Sequence, residues 1–174
     1  MAQIRSFEPI QDEQAQVLIL GSMPGQASLK ASQYYAHPQN AFWRIMGRLL
    51  DFEATASYDL KIQKLKTARI ALWDVLGSCT RAGSLDSKIQ SATEVPNDFP
   101  AFFHKHKDLT HLFFNGAKAE TSFHRHVLMT SEPGSLHLTR LPSTSPAHAS
   151  MSFERKLHFW RAVLNRNEPS QRPL

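Results

Sequence analysis

Four short apolar runs stand out along the chain: Val17-Leu18-Ile19-Leu20, Arg69-Ile70-Ala71-Leu72-Trp73, Leu109-Thr110-His111-Leu112-Phe113-Phe114 and Leu136-His137-Leu138-Thr139-Arg140-Leu141. The first three are nearly continuous, the pattern of strands covered on both faces of a parallel sheet. The fourth alternates, with Leu136 and Leu138 on one side, as a half-exposed edge strand does. Between the runs the period becomes helical. Phe42, Ile45, Met46, Leu49 and Leu50 make one apolar stripe, and Phe153, Leu157, Trp160 and Leu164 make another. Shorter helices are expected near residues 58–66, 98–106 and 117–128. Strands alternating with helices predict a single open α/β sheet. The stretch from Gly77 to Asn97 reads as the longest irregular region. No linker rich in Gly, Pro or Ser divides the chain. The tail beyond Asn165, with Pro169 and Pro173, is expected to fray.

In open α/β sheets, ligands bind just beyond the carboxyl ends of the strands. Gly21-Ser22-Met23-Pro24-Gly25 follows the first run, and Asp74-Val75 the second. Asn115-Gly116-Ala117-Lys118 follows the third, and Pro142-Ser143-Thr144-Ser145-Pro146 the fourth. Each is ordinary turn chemistry alone. Together they place polar groups on one rim, which is where function is expected.

Composition narrows the class. The 174 residues are 41% hydrophobic and 20% charged, which excludes intrinsic disorder. No apolar run approaches the length of a membrane span, and the N-terminus lacks the apolar core of a signal peptide, so a cytoplasmic, nucleoid-associated protein is expected. A single cysteine, Cys79, permits no internal disulfide and no cysteine-ligated iron–sulfur cluster. The formal charge of +5 leans weakly towards an anionic partner. His104-Lys105-His106 and His124-Arg125-His126 have a spacing that suits one strand face, yet both fall in expected helices, where i and i+2 diverge. No metal and no other cofactor is expected.

The rim residues carry a resemblance. Gly21-Ser22-Met23-Pro24-Gly25 resembles motif one of the uracil-DNA glycosylase superfamily. Ala36-His37-Pro38-Gln39-Asn40-Ala41-Phe42-Trp43 resembles the His-Pro-x-Asn-x-Phe-Trp stretch of its mismatch-specific and hypoxanthine branches. Leu141-Pro142-Ser143-Thr144-Ser145-Pro146-Ala147 resembles motif two, the loop that grips DNA. The three motifs stand in the family's order between residue 17 and about residue 160. The resemblance implies a single glycosylase domain over residues 1–166, with 167–174 as a frayed tail. The implied fold is a three-layer α/β/α arrangement around a central, mainly parallel, four-stranded sheet. The implied activity is hydrolysis of the N-glycosidic bond of a deaminated base flipped out of DNA. The partner is double-stranded DNA with a damaged base, or single-stranded DNA, with no membrane and no obligatory protein partner.

One departure selects the branch. Most members place Asp or Asn at the third position of the first loop, to position the attacking water. Met23 stands there, and a thioether cannot orient or deprotonate water. The hypoxanthine branch resembles this chain in that gap. Its catalytic Asn corresponds to Asn40, which by itself reads as the N-cap of the following helix. By the same resemblance Tyr35, rather than Tyr34, stacks on the extruded base, although aromatic residues at such places are commonly core. Asp74 stands where uracil-specific members carry Asn. An ionised Asp only accepts hydrogen bonds, which suits the N1–H of hypoxanthine and not the bare N1 of adenine. The plain alternative is an Asp paired with Arg81 or capping a turn. Ser22, Met23 and Asn115 complete the expected base site, with Gly116 freeing a tight turn. Gly25, Ser28, Pro142, Ser143, Thr144, Ser145 and His148 are the expected DNA contacts. Many members push a Leu wedge from the last loop, where this chain has Ser145-Pro146.

Three other readings compete. One is a uracil or mismatch glycosylase, against which Met23 and Asp74 argue. Another is a non-catalytic DNA-lesion binder using the same cleft. The last is a small-molecule hydrolase with Ser22 as nucleophile, which lacks the Gly-x-Ser-x-Gly elbow.

Overall fold

The computed structural model describes residues 3–129 and 134–165; the tail expected to fray at 167–174 lies outside them. The chain runs β1 (Gln3–Arg5), β2 (Val17–Gly21), α1 (Gln26–Ala31), α2 (Phe42–Leu50), α3 (Tyr58–Thr67), β3 (Ile70–Asp74), β4 (Leu76–Thr80), β5 (Val95–Pro96), α4 (Phe99–Lys105), β6 (His111–Asn115), α5 (Ala117–Phe123), β7 (His137–Leu141) and α6 (Phe153–Trp160). The main sheet has four strands in the order β3-β2-β6-β7, every neighbouring pair parallel. The chain moves outward from β2 to β3, then crosses back to β6 on the other side of β2. That reversal opens a crevice at the carboxyl ends of β2 and β6.

The apolar runs became strands because both faces are covered. β2 and β3 are buried at every residue. β3 is an edge strand of this sheet, yet Ile10 exchanges two backbone hydrogen bonds with Leu72 and covers its outer side. β7, the other edge, is only partly buried, as its alternation predicts. On one flank Phe42 of α2 meets Trp160 of α6 edge-on, with ring centroids 5.8 Å apart. On the other, Phe99 of α4 packs against Trp73 of β3 and Phe123 of α5. No helix among the described residues is long and apolar enough to cross a membrane.

The region expected to be irregular between Gly77 and Asn97 is better ordered than its pattern indicates. It contains most of β4 and all of β5, which form a small antiparallel sheet with β1. Only Leu76 and Cys79 of β4 are buried, so the strand has no alternation to read. The helix expected over 117–128 ends as α5 at Phe123 and continues as one π-helical turn, His124–Leu128.

Candidate active site

A cleft of about 810 Å³ lies at the switch point. It is lined by the loop after β2, the turn before α2, the end of β3, the end of β6 and the loop after β7. All the rim segments expected from the strand order therefore meet.

The floor is built around Gly21. A Cβ there would lie 2.5 Å from Asp74 Oδ1 and 2.8 Å from the Tyr35 hydroxyl, so both polar groups close over a position where no side chain fits. Asp74 ends β3 and is 3% exposed. Its Oδ2 accepts from the Ser6 hydroxyl at 3.1 Å, and no cation pairs with it among the described residues. Burial pushes its carboxyl up to about 7, with Ser6 and Arg81 pulling it down and Asp86 pushing it further up. Pairing with Arg81, the plain alternative, does not occur. Arg81 donates to the carbonyls of Gly83 and Pro24 and so ties down the first loop.

Tyr35 holds a φ of 54°, a left-handed conformation rare for a bulky residue. Its ring stacks on Phe42 at 4.1 Å and 24°. Its hydroxyl is buried with no hydrogen-bond partner among the described residues, and burial with the nearby Asp74 raises it far above a normal phenol. Tyr34 is core: its hydroxyl donates to the Glu8 carbonyl, and it packs edge-on against Phe7.

Asn40 lines the cleft just before α2. Its Oδ1 accepts from the Phe42 backbone N–H at 2.9 Å, and its own N–H donates to the His37 carbonyl. The N-cap of α2 is therefore Ala41 and not Asn40, whose side chain closes a turn just ahead of the helix and stands as a fixed polar group in the cleft. Asn115 and Thr144 pair reciprocally: Asn115 Nδ2 donates to Thr144 Oγ1, and the Thr144 N–H donates to Asn115 Oδ1, both at 2.9 Å. The Thr144 carbonyl accepts from the Ala41 N–H. One buried threonine thereby joins the end of β6, the last loop and the residue after Asn40.

Among the other expected residues, Met23 is buried in the cleft wall. Ser22 donates to Asp86 Oδ1 at 2.7 Å. Gly25 caps α1, and buried Ser28 accepts from the Ala36 N–H. Pro142 is buried and accepts from the Trp160 indole. Ser143 and Ser145 line the cleft, each accepting a backbone N–H two residues on. Gly116 takes a φ of 91°, and a Cβ there would meet Ser143 Cβ at 3.0 Å. His148 lines the cleft with Nε2 buried and unpartnered among the described residues.

Sequence reasoning missed the segment 84–87, which also lines the cleft. Ser84 accepts from the Gln26 N–H, and burial raises the Asp86 carboxyl. It also missed Ser6, which reaches Asp74 from the N-terminal segment. Neither has a local signal, because each is brought in by a tertiary hydrogen bond.

A parallel sheet with a polar cleft at its switch point, closed by loops from both halves of the chain, defines an α/β fold built to bind a ligand at its strand ends. Residues 8–165 match the uracil DNA glycosylase superfamily, and the chain belongs to that superfamily. It is 40% identical to a hypoxanthine DNA glycosylase of Methanosarcina acetivorans and 37% identical to one of Methanosarcina barkeri. Each match covers 66% of this chain and 72% of the relative. A solution NMR structure of a candidate uracil DNA glycosylase from Methanosarcina acetivorans superimposes with a TM-score of 0.77. It is 36% identical, over 95% of this chain and 98% of that one.

Proposed function

We propose that this protein is a DNA repair glycosylase that removes a deaminated purine, hypoxanthine first and xanthine next, from double-stranded DNA in the cytoplasmic nucleoid. The observation that supports the reading is the join through Thr144, which ties the last loop to Ala41, beside Asn40, in a cleft that Asp74 also lines with no cation paired to it among the described residues. The names of the two archaeal relatives point the same way.

Flipping the nucleotide costs a few kcal/mol, less where the base is mispaired. The extruded base enters against Tyr35, whose other face is backed by Phe42. Ionised Asp74 accepts from N1–H of hypoxanthine. Adenine offers only an acceptor there and leaves the buried carboxylate unpaired, which is the basis of discrimination. Asn40 Oδ1 has one lone pair on Phe42 N–H and a second for a water below C1′. An amide is no base near neutral pH, so Asn40 contributes position. The glycosidic bond breaks with cationic character on the sugar. Water oxygen joins C1′, its proton is lost to solvent, and the base departs with the bonding pair. Backbone N–H groups of Ser22 and Met23 stabilise the departing purine. Ser143, Ser145 and His148 meet the DNA backbone, while Ser28, Pro142 and Thr144 hold the loops that present them.

The test is cleavage of labelled duplexes carrying hypoxanthine, xanthine or uracil, with alkali to reveal abasic sites. The wild type cuts at hypoxanthine, and Asn40→Ala lowers the rate by roughly 100-fold or more. Product that survives Asn40→Ala removes that residue from the mechanism. Absence of product on every base, with lesion-selective binding retained, makes the protein a lesion binder.

A further inference from the structure

The loop of residues 143–148 is a partition with two faces. One lines the cleft. The other lines a separate pocket of about 120 Å³ that includes Arg44, Phe153 and Lys156. Ser145 and His148 border both.

The second pocket has an unusual charge balance. Lys156 is 5% exposed. Lysine is rarely so buried without a carboxylate, and no ion pair joins Lys156 or Arg44 to an acid among the described residues. Lys156 Nζ donates to the His148 carbonyl at 2.8 Å, which leaves two of its three protons for other acceptors. Arg44 lies over the Phe153 ring at 4.8 Å. Burial first, and then the nearby Arg44 charge, make it harder for Lys156 to hold its proton. Buried His148 Nε2 adds a polar atom with no partner among the described residues. Like charges gathered beside a recess, with no acid paired to either among the described residues, form a site for an external anion.

We infer that this pocket, bounded by Arg44, Lys156 and His148, binds one backbone phosphate of the DNA strand whose nucleotide enters the cleft. The inference rests on the glycosylase reading for its ligand. The partition explains the geometry: a strand that delivers its base to one side of Ser145 has a neighbouring phosphate on the other. Because His148 is held through its carbonyl by Lys156, occupancy here also fixes the loop that faces the flipped nucleotide.

The experiment measures binding of wild type, Arg44→Gln and Lys156→Gln to a duplex with one stable abasic analogue, across a salt series. Each variant binds roughly tenfold more weakly near 0.1 M salt, and its slope of log K against log salt falls by about 0.9. Single phosphates around the lesion are then replaced by neutral methylphosphonates. One replacement weakens the wild type and has little effect on either variant. An unchanged salt slope in Arg44→Gln, or variants as sensitive as wild type at every replaced position, overturns the proposal. Arg44 is exposed, so Arg44→Gln carries the test alone if Lys156→Gln does not fold. If wild type prefers no lesion over plain duplex, the glycosylase reading fails, while the slope on plain duplex still reads the phosphate pocket.

Discussion

Among the described residues, two acids fall in the buried class, Glu94 and Asp74, and their surroundings differ in kind. The Glu94 side chain is fully buried, yet its oxygens are met by Lys118, by His126 at 2.7 Å, by Arg125 at 3.9 Å and by the Ser122 hydroxyl at 3.5 Å. Burial alone would raise it, but the hydrogen bonds from Lys118 and His126 outweigh burial and hold it below the usual glutamate range. Asp74 has one serine hydroxyl and no paired cation among the described residues, and burial outweighs the pull of Ser6 and Arg81. Glu94 ties the segment before β5 to α5 and the π-helical turn. It sits outside the cleft. Asp74 opens onto it, beside an unpartnered tyrosine hydroxyl. A folded domain tolerates a poorly solvated acid where a ligand completes it, and such sites are where perturbed titration and function coincide.

The contrast breaks most visibly at Glu94. Glu94→Gln leaves Lys118 and His126 facing a neutral amide in a site built for charge. It should destabilise the fold by about 3–5 kcal/mol, read from denaturant unfolding at pH 7. Asp74→Asn should do the opposite to stability while harming function. It removes an uncompensated charge, keeps an oxygen for Ser6, and should raise unfolding free energy at pH 8 by on the order of 1–4 kcal/mol. Its kcat/KM on hypoxanthine should fall by roughly 10–100-fold, the worth of a charge-assisted hydrogen bond. Uracil should gain relative to hypoxanthine, since an amide both donates and accepts. A destabilised Asp74→Asn, or one with full hypoxanthine activity, would mean that Asp74 belongs with Glu94 as a structural acid.

The same contrast separates what the chain discloses locally from what it does not. The four main strands are legible because a buried parallel strand needs a continuous apolar run. The rim follows from strand order alone. Asp74 and Asn40 are legible as residues, since each directly follows or precedes a readable element. Their environments are not. Ser6 reaches Asp74 across 68 positions and Asp86 reaches Ser22 across 64, and no local pattern encodes either pairing. The Asn115–Thr144 clasp between loops is likewise a pairing that no local pattern encodes. His124-Arg125-His126 shows why spacing misleads. The helical reading already sets it aside as a metal pattern, but no local signal tells that the π-helical turn brings Arg125 and His126 to Glu94. β4 is unreadable because its two buried residues, Leu76 and Cys79, are three apart in a strand.

The pH dependence of the two acids should differ in sign, and the smallest expected effect tests it most finely. Glu94 is lowered on folding, so its contribution is full above the ordinary glutamate value of 4.5 and is lost as pH falls through the folded value. Asp74 is raised from 3.8 to about 7, so the native state holds a proton that the unfolded chain has released, and stability declines as pH rises across that interval. Activity should move the other way. If the ionised carboxylate reads N1–H, kcat/KM for hypoxanthine reports the free enzyme's Asp74. It should rise about tenfold per unit from pH 5 to near 7 and level off above, and Asp74→Asn should be flat over that range. Activity that instead falls as pH passes 7, again only when Asp74 is present, would make the protonated carboxyl the working form. Asp74 would then be a proton donor to the departing purine, and hypoxanthine would have to be selected by the Tyr35 hydroxyl or the wall around Ser22.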